Sequence, residues 1–328
     1  MERKDWVDRA RGIGIVLVVF GHVLRGLGSA GLVPAQSGLW TLDYVFYTFH
    51  MPLFFLLSGL FVERSLSKGR ETFWRSKLET VVYPYFLWSL IQGLLLVAFA
   101  GVTNNSSSPW LRLGSILWQP LAPFWFLYSL FFCHLLFALL RGLDRRVLLA
   151  VAALAYVAGE IYRGGAHDIS PLPDTTRGFL FFVLGVLAME RNWPNLAVRP
   201  SISVLAAAVF AISVAVGLRW DIPYEALWPA AVAGIFLTLG LAQSALPGAR
   251  LFQELGRYSM VIFVTHIIIA SGLRIILMRF TSIHDPALHL ALGVCAGLLL
   301  PIVAYRIASR LEIERWLGWP AERRLTVG

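Results

Sequence analysis

Apolar residues along this chain fill stretches of bilayer length, and the charges fall in the short segments between them. Such stretches run at about 12–30, 40–62, 80–100, 122–140, 147–162, 178–190, 201–218, 226–245, 258–279 and 287–306, and about 20 apolar residues suffice for a helix to cross a bilayer. The pattern predicts an all-α, polytopic integral membrane bundle of about ten transmembrane helices, with the fifth and sixth short enough to be tilted or partly re-entrant. Charges precede the first run and small residues follow it, as in a signal peptide. His22 and Arg25 interrupt that run and nine more follow, so it reads as a retained helix. No linker rich in Pro, Gly or Ser divides the chain. It reads as one membrane domain over 1–328, with a core of about 5–307 and a short cytoplasmic tail, 308–328.

Composition agrees with the pattern. Hydrophobic residues make up 58% and charged residues 14%, and the mean hydropathy is +0.70, well outside the soluble range. The net charge of +9 does not point to nucleic acid, because the basic residues are scattered over short loops and form no stripe. Their distribution instead sets an orientation. With the N-terminus inside, 21 of the 28 Lys and Arg fall on the inner side and seven on the outer, which places both termini in the cytoplasm of a multi-pass plasma (inner) membrane protein. The two cysteines, Cys133 and Cys295, lie in apolar runs and read as small core residues.

Ionisable residues deep in an apolar run are costly, by roughly 2.5–3.5 kcal/mol even on a lenient insertion scale, and their default reading is functional. Arg11 and His22 bracket the run RGIGIVLVVFGH. Eleven helical steps bring them back to nearly one face, about 16 Å apart along the axis. On the predicted topology His22, His50 and His266 lie about 15, 18 and 13 Å above the inner boundary, at nearly one depth on three helices. His134 is a weaker fourth. Three histidines also suit a metal, but no HxxxH, HxxE or carboxylate spacing accompanies them, and no metal is expected. Asp43 precedes His50 by seven residues, about 20° away on the same face of a continuous helix. It suits a role beside that histidine or at an outer mouth, and equally a plain interfacial position. Pro52 removes a backbone hydrogen bond, freeing carbonyls near residue 48 toward a cavity.

Five blocks then carry a resemblance. DRARGIGIVLVVFGHVL, FHMPLFFLLSGLF, WRSKLETVVYPYFLW, PFWFLYSLFF and GRYSMVIFVTH occur in the order seen in the acyltransferase 3 family of integral-membrane acyltransferases, and resemble its fucose 4-O-acetylase-like branch over roughly residues 5 to 307. The resemblance implies transfer of an acyl group, usually acetyl from cytoplasmic acetyl-CoA, to a hydroxyl of a cell-envelope glycan or its lipid-linked precursor. Many members carry two arginines three apart after the second span. Here the sequence reads Arg75, Ser76, Lys77, Leu78, Glu79, which weakens a donor role for Arg75 and Lys77.

A sugar hydroxyl needs a base to take its proton as it attacks a thioester, and histidine titrates in the right range. His22 is the expected base. Arg11 suits the phosphates of acetyl-CoA, since its planar fork pairs with phosphate oxygens; the plain alternative is a positive-inside anchor paired with Asp8. His50 and His266 suit an oxyanion, the acceptor hydroxyl or a helix bridge. Trp125 and Tyr128 offer faces for a sugar ring, although aromatic belts at membrane interfaces are commoner. Glu160 is an acceptor-side candidate. A proton-coupled transporter or flippase of envelope precursors is the alternative class, against which no inverted repeat is visible; a scaffold would not need ionisable groups at mid-depth.

Overall fold

The computed structural model describes residues 5–99, 109–165, 171–244, 247–281 and 283–321. Residue 100, where the third expected span ends, and the tail beyond 321 lie outside the described residues. Among the described residues every regular element is helical: α1 (Asp5–Ser29), α2 (Leu39–Tyr47), α3 (His50–Gly59), α4 (Val62–Leu66), α5 (Arg70–Lys77), a π-helical turn (Leu78–Val82), α6 (Tyr83–Ala98), α7 (Pro109–Gly114), α8 (Trp125–Leu140), α9 (Arg145–Gly165), α10 (Leu172–Glu190), α11 (Trp193–Ala197), α12 (Pro200–Arg219), a 3₁₀ turn (Tyr224–Ala226), α13 (Trp228–Gln243), α14 (Ala249–Arg257), α15 (Ser259–Phe280) and α16 (Pro286–Arg310). Among the described residues, seven segments are long and apolar enough to cross a membrane: α1, Leu39–Leu66, Arg70–Ala98, α10, α12, α15 and α16. Shorter apolar helices α8 and α13, and the 21-residue α9, stand at the other three positions read from the sequence. The protein is a multi-pass membrane protein.

Local chemistry explains where the helices depart from the apolar runs. The sixth begins six residues earlier than its run, because Pro173 in its first turn needs no amide partner and the threonines turn inward onto the backbone. Thr175 Oγ1 donates to the Pro171 carbonyl at 2.8 Å and Thr176 Oγ1 to the Pro173 carbonyl at 3.0 Å. The second span is broken between Tyr47 and His50. The expectation that Asp43 and His50 share a face of one continuous helix is therefore corrected: Pro52 starts a new helix rather than kinking an old one. The carbonyl of Thr48, expected to be freed toward a cavity, accepts instead from Nη2 of the buried Arg177 at 3.2 Å. Cys133 is buried as expected, whereas Cys295 is exposed on α16.

The chain forms two compact units. One comprises Met1–Phe46, Tyr83–Phe124 and Arg250–Gly328; the other comprises Tyr47–Val82 and Trp125–Ala249. In the first, α1 packs against α15 and α16, and it meets α14 through two glycines placed reciprocally. A Cβ on Gly12 would overlap the Phe252 carbonyl, and one on Gly256 would overlap the Asp8 carbonyl. In the second, α10 packs on α3, α8 and α9. Its seam with α3 repeats the device: a Cβ on Gly59 would strike the Phe182 carbonyl, and one on Gly185 the Leu56 carbonyl. Small residues that let backbones touch are how helices associate where lipid gives no hydrophobic drive. At one end of this unit Arg145 bridges Glu63 at 2.6 Å and Glu190 at 2.9 Å. Its desolvation is outweighed by these bonds, and the guanidinium is held charged more firmly than in water.

Candidate functional site

The first unit encloses a cavity of about 640 Å³ among α1, α6, α7, α15 and α16, and two of the predicted histidines line it. His22 on α1 and His266 on α15 stand with ring centres 5.2 Å apart. His22 is half-buried and His266 fully so. The backbone fixes the state of His266. Its Nδ1 lies 3.0 Å from the Ile262 carbonyl and 2.8 Å from that of Phe263. Carbonyls only accept, so Nδ1 carries the proton and Nε2 of the neutral ring is a lone pair. That Nε2 is buried with no hydrogen-bond partner.

The cavity also contains residues that sequence reasoning assigned to topology or passed over. His289 on α16 lines it, donating Nε2–H to the Ile283 carbonyl at 2.9 Å and leaving a buried, unpartnered Nδ1. Arg25, Arg112 and Arg274 line it too, although the charge count treated all three as outer-side markers. Arg274 sits eight residues past His266 inside an apolar helix, and an arginine at such a position is itself the signal that could have found it. Asp43, read from the sequence as a partner of His50, a mouth residue or a plain interfacial one, is buried and grips Arg25: Nη2 and Nε of Arg25 lie 3.0 and 3.1 Å from Oδ2.

Arg11 belongs to a second cluster in this unit. Asp8 is fully buried, with Arg11 Nη1 at 3.8 Å from Oδ1 and Arg257 Nε of α14 at 4.0 Å from Oδ2. The glycine seam brings α14 close enough to place Arg257 here. Two guanidiniums thus flank one carboxylate, and Arg257, which the sequence reading did not single out, also pairs with Glu254 at 3.0 Å.

The remaining candidates lie in the second unit. His50 is buried against Tyr47, with ring centres 4.5 Å apart. Trp125 packs beside Phe55 and Phe126, and Tyr128 beside Phe132, which are aromatic packing contacts. Glu160 faces Arg163 at 3.4 Å, and Arg163 holds Asp174 at 2.8 Å, so Glu160 belongs to an ion-pair network. Arg75 pairs with Glu79 at 3.2 Å in the open, and Lys77 lies over the Phe73 ring at 5.2 Å. His134 donates to the Leu130 carbonyl at 2.7 Å and packs on Phe73 and Phe182. Among the described residues no group of three or more His, Cys, Asp or Glu is arranged to hold a metal ion.

The five sequence blocks and this helical frame meet in a family match. The family model described as an acyltransferase domain covers residues 4–306. The chain belongs to the acyltransferase 3 family. Within this acyltransferase family frame it is similar to Nodulation protein NolL of Mesorhizobium japonicum, at 26% identity over 196 residues. The aligned region is 57% of this chain and 48% of that protein, so the match spans about half the length of the relative. No solved structure matches the chain. Arg11, His22 and His266 all fall inside the family match.

Proposed function

We propose that the protein is a membrane O-acyltransferase that moves an acyl group, most simply acetyl, from cytoplasmic acyl-CoA to a hydroxyl of a cell-envelope polysaccharide or lipid-linked glycan. The observation that carries this reading is the His22–His266 pair on a cavity in a chain of the acyltransferase 3 family. The acceptor oxygen attacks the thioester carbonyl as His22 takes its proton. The carbon–sulfur bond breaks and CoA leaves as the thiolate, which is then protonated. His266 lies beside His22 with a fixed lone pair at Nε2, and on this reading that lone pair accepts the N–H of His22 when substrate is bound. Hydrogen bonds of this kind often tighten only in the Michaelis complex. His266 is thus the positioning residue, and the other nitrogen of His22 is left as the base.

On this reading Arg11 and Arg257 hold the CoA phosphates at the N-terminal end of α1, with Asp8 keeping the two guanidiniums side by side. Arg11→Ala should raise the apparent KM for acetyl-CoA about tenfold or more, as loss of a charged hydrogen bond does, with a smaller effect on kcat. Arg11→Lys should recover only part, because an ammonium cannot make the bidentate contact. If Arg11 is only a topological anchor, Lys restores activity fully and Ala lowers the amount of inserted protein at unchanged KM. Equal CoA affinity in wild type and both variants removes the donor assignment.

Orientation has its own check. Single cysteines placed near Ser67 and Ala249 should be shielded from an impermeant thiol reagent in intact cells, and one at Asp285 should be labelled. Labelling at Ser67 before lysis reverses the topology and removes the cytoplasmic donor site. The activity itself is tested on purified protein, which should release free CoA from acetyl-CoA when a membrane glycolipid acceptor is added. Passage of the glycolipid across a vesicle membrane with no CoA release would establish the transporter reading instead.

A further inference from the structure

The cavity of the first unit carries charge of one sign only. Among the described residues that line it are three arginines, Arg25, Arg112 and Arg274, and no carboxylate. Asp43 answers Arg25 from just behind the wall. Arg274 is different: its Nη1 donates to the Gly26 carbonyl, a bond that fixes the direction of the guanidinium without neutralising it. A guanidinium has five N–H donors, and placing one within an apolar helix is costly enough that it marks a binding function. Along α15 it stands eight residues from His266, about 12 Å at helical rise.

The wall beside these cations is apolar. Leu95, Leu96 and Leu273 line it with Phe99 and Ile276; Ile276, on the membrane-crossing α15, and Phe99, just past the end of α6, are each 54% exposed. Exposed apolar side chains at that depth face acyl chains, so the cavity opens toward lipid beside its arginines. A ligand matched to this arrangement has an anion, an alkyl chain next to it, and a polar part reaching inward.

We infer that the acceptor is a phosphate-bearing amphiphile: a sugar joined through phosphate to a long alkyl or isoprenoid chain, with Arg274 and Arg112 gripping the phosphate, the chain leaving past Phe99 and Ile276, and the sugar hydroxyl directed at His22. This deepens the acyltransferase reading and rests on it for the role of the ligand, although the binding site itself does not require catalysis. The planar fork of arginine suits phosphate oxygens.

Binding is measured on full-length protein in detergent without acetyl-CoA, using geranylgeranyl phosphate, geranylgeraniol, inorganic phosphate and phosphatidylglycerol as probes. Geranylgeranyl phosphate should bind at least about tenfold more tightly than the alcohol, and Arg274→Gln should lose about tenfold or more of that affinity, the scale of one charged hydrogen bond. Arg112→Gln, at an exposed position of the lining, gives a second variant. Equal affinity for phosphate and alcohol, or affinity unchanged in both variants, overturns the inference. Inorganic phosphate binding as tightly as the lipid phosphate, or phosphatidylglycerol competing equally, also overturns it, because the site would then hold a free anion or an ordinary phospholipid. His22→Ala should keep geranylgeranyl phosphate binding while losing acyl transfer. A wild type that binds the lipid phosphate but transfers no acyl group would sink the acyltransferase reading and leave the site standing.

Discussion

His22→Ala should lower kcat for acyl transfer by about 10²–10⁴-fold, the usual contribution of a positioned base, in protein that still inserts normally, since replacing an ionisable residue in an apolar helix lowers the insertion cost. His22→Gln should be equally inactive, because an amide keeps hydrogen bonding but cannot take the proton. His266 separates the two roles. Its Nε2 offers a lone pair beside His22, and a glutamine oxygen can offer one too, so His266→Gln should retain much more activity than His266→Leu. Both should act on kcat with little change in KM for acetyl-CoA. Steady-state CoA release by detergent-purified variants reads all four. Substantial turnover by His22→Gln would show that His22 orients or packs and that the base lies elsewhere.

The largest structural effect is expected at the glycine seams. Gly185→Leu would drive a side chain into the Leu56 backbone, and Gly12→Leu into that of Phe252. Overpacking a core costs about 1–3 kcal/mol when neighbours can move and more when they cannot, against a total stability of about 5–15 kcal/mol. Here the obstacle is main chain on a packed helix. Both variants should lose the monodisperse peak in size-exclusion chromatography of solubilised membranes, while Gly142→Leu, where nothing lies within 4 Å of a new Cβ, should elute as wild type. A normal elution profile for Gly185→Leu would mean that α3 and α10 are not closely packed in solution.

The helical frame was legible because apolar length alone identifies it: among the described residues each of the ten runs has a helix at its position, and seven segments meet the length and apolarity of a crossing. That His22 and His266 sit at similar heights on their helices was expected because height follows from counting residues along helices of known rise; that their rings meet was not. What counting cannot supply is rotation and the choice of partner. Depth placed His50 level with His22, yet the structure assigns it to the other compact unit, beside Tyr47. Nor can counting show that Trp125 packs beside aromatic rings or that Glu160 faces Arg163. Arg274, Arg112 and His289 were missed for the opposite reason. A count of charges by side treats each arginine as a marker of topology and leaves no room for one that lines a cavity.

The chain order of the first unit has a consequence for how the protein is made. Gly12 of α1 finds its seat against Phe252 only after about 240 intervening residues have been synthesised, about 12–48 s at 5–20 residues per second. Through that interval α1 has neither its glycine partner nor Arg257 beside Asp8. The segments Tyr47–Val82 and Trp125–Ala249 of the second unit are synthesised by the time α14 begins. Helix α1 is thus made well before the seat that locks it, and truncation within α14 to α16 should leave a chain whose second unit assembles while α1 remains exposed to membrane quality control.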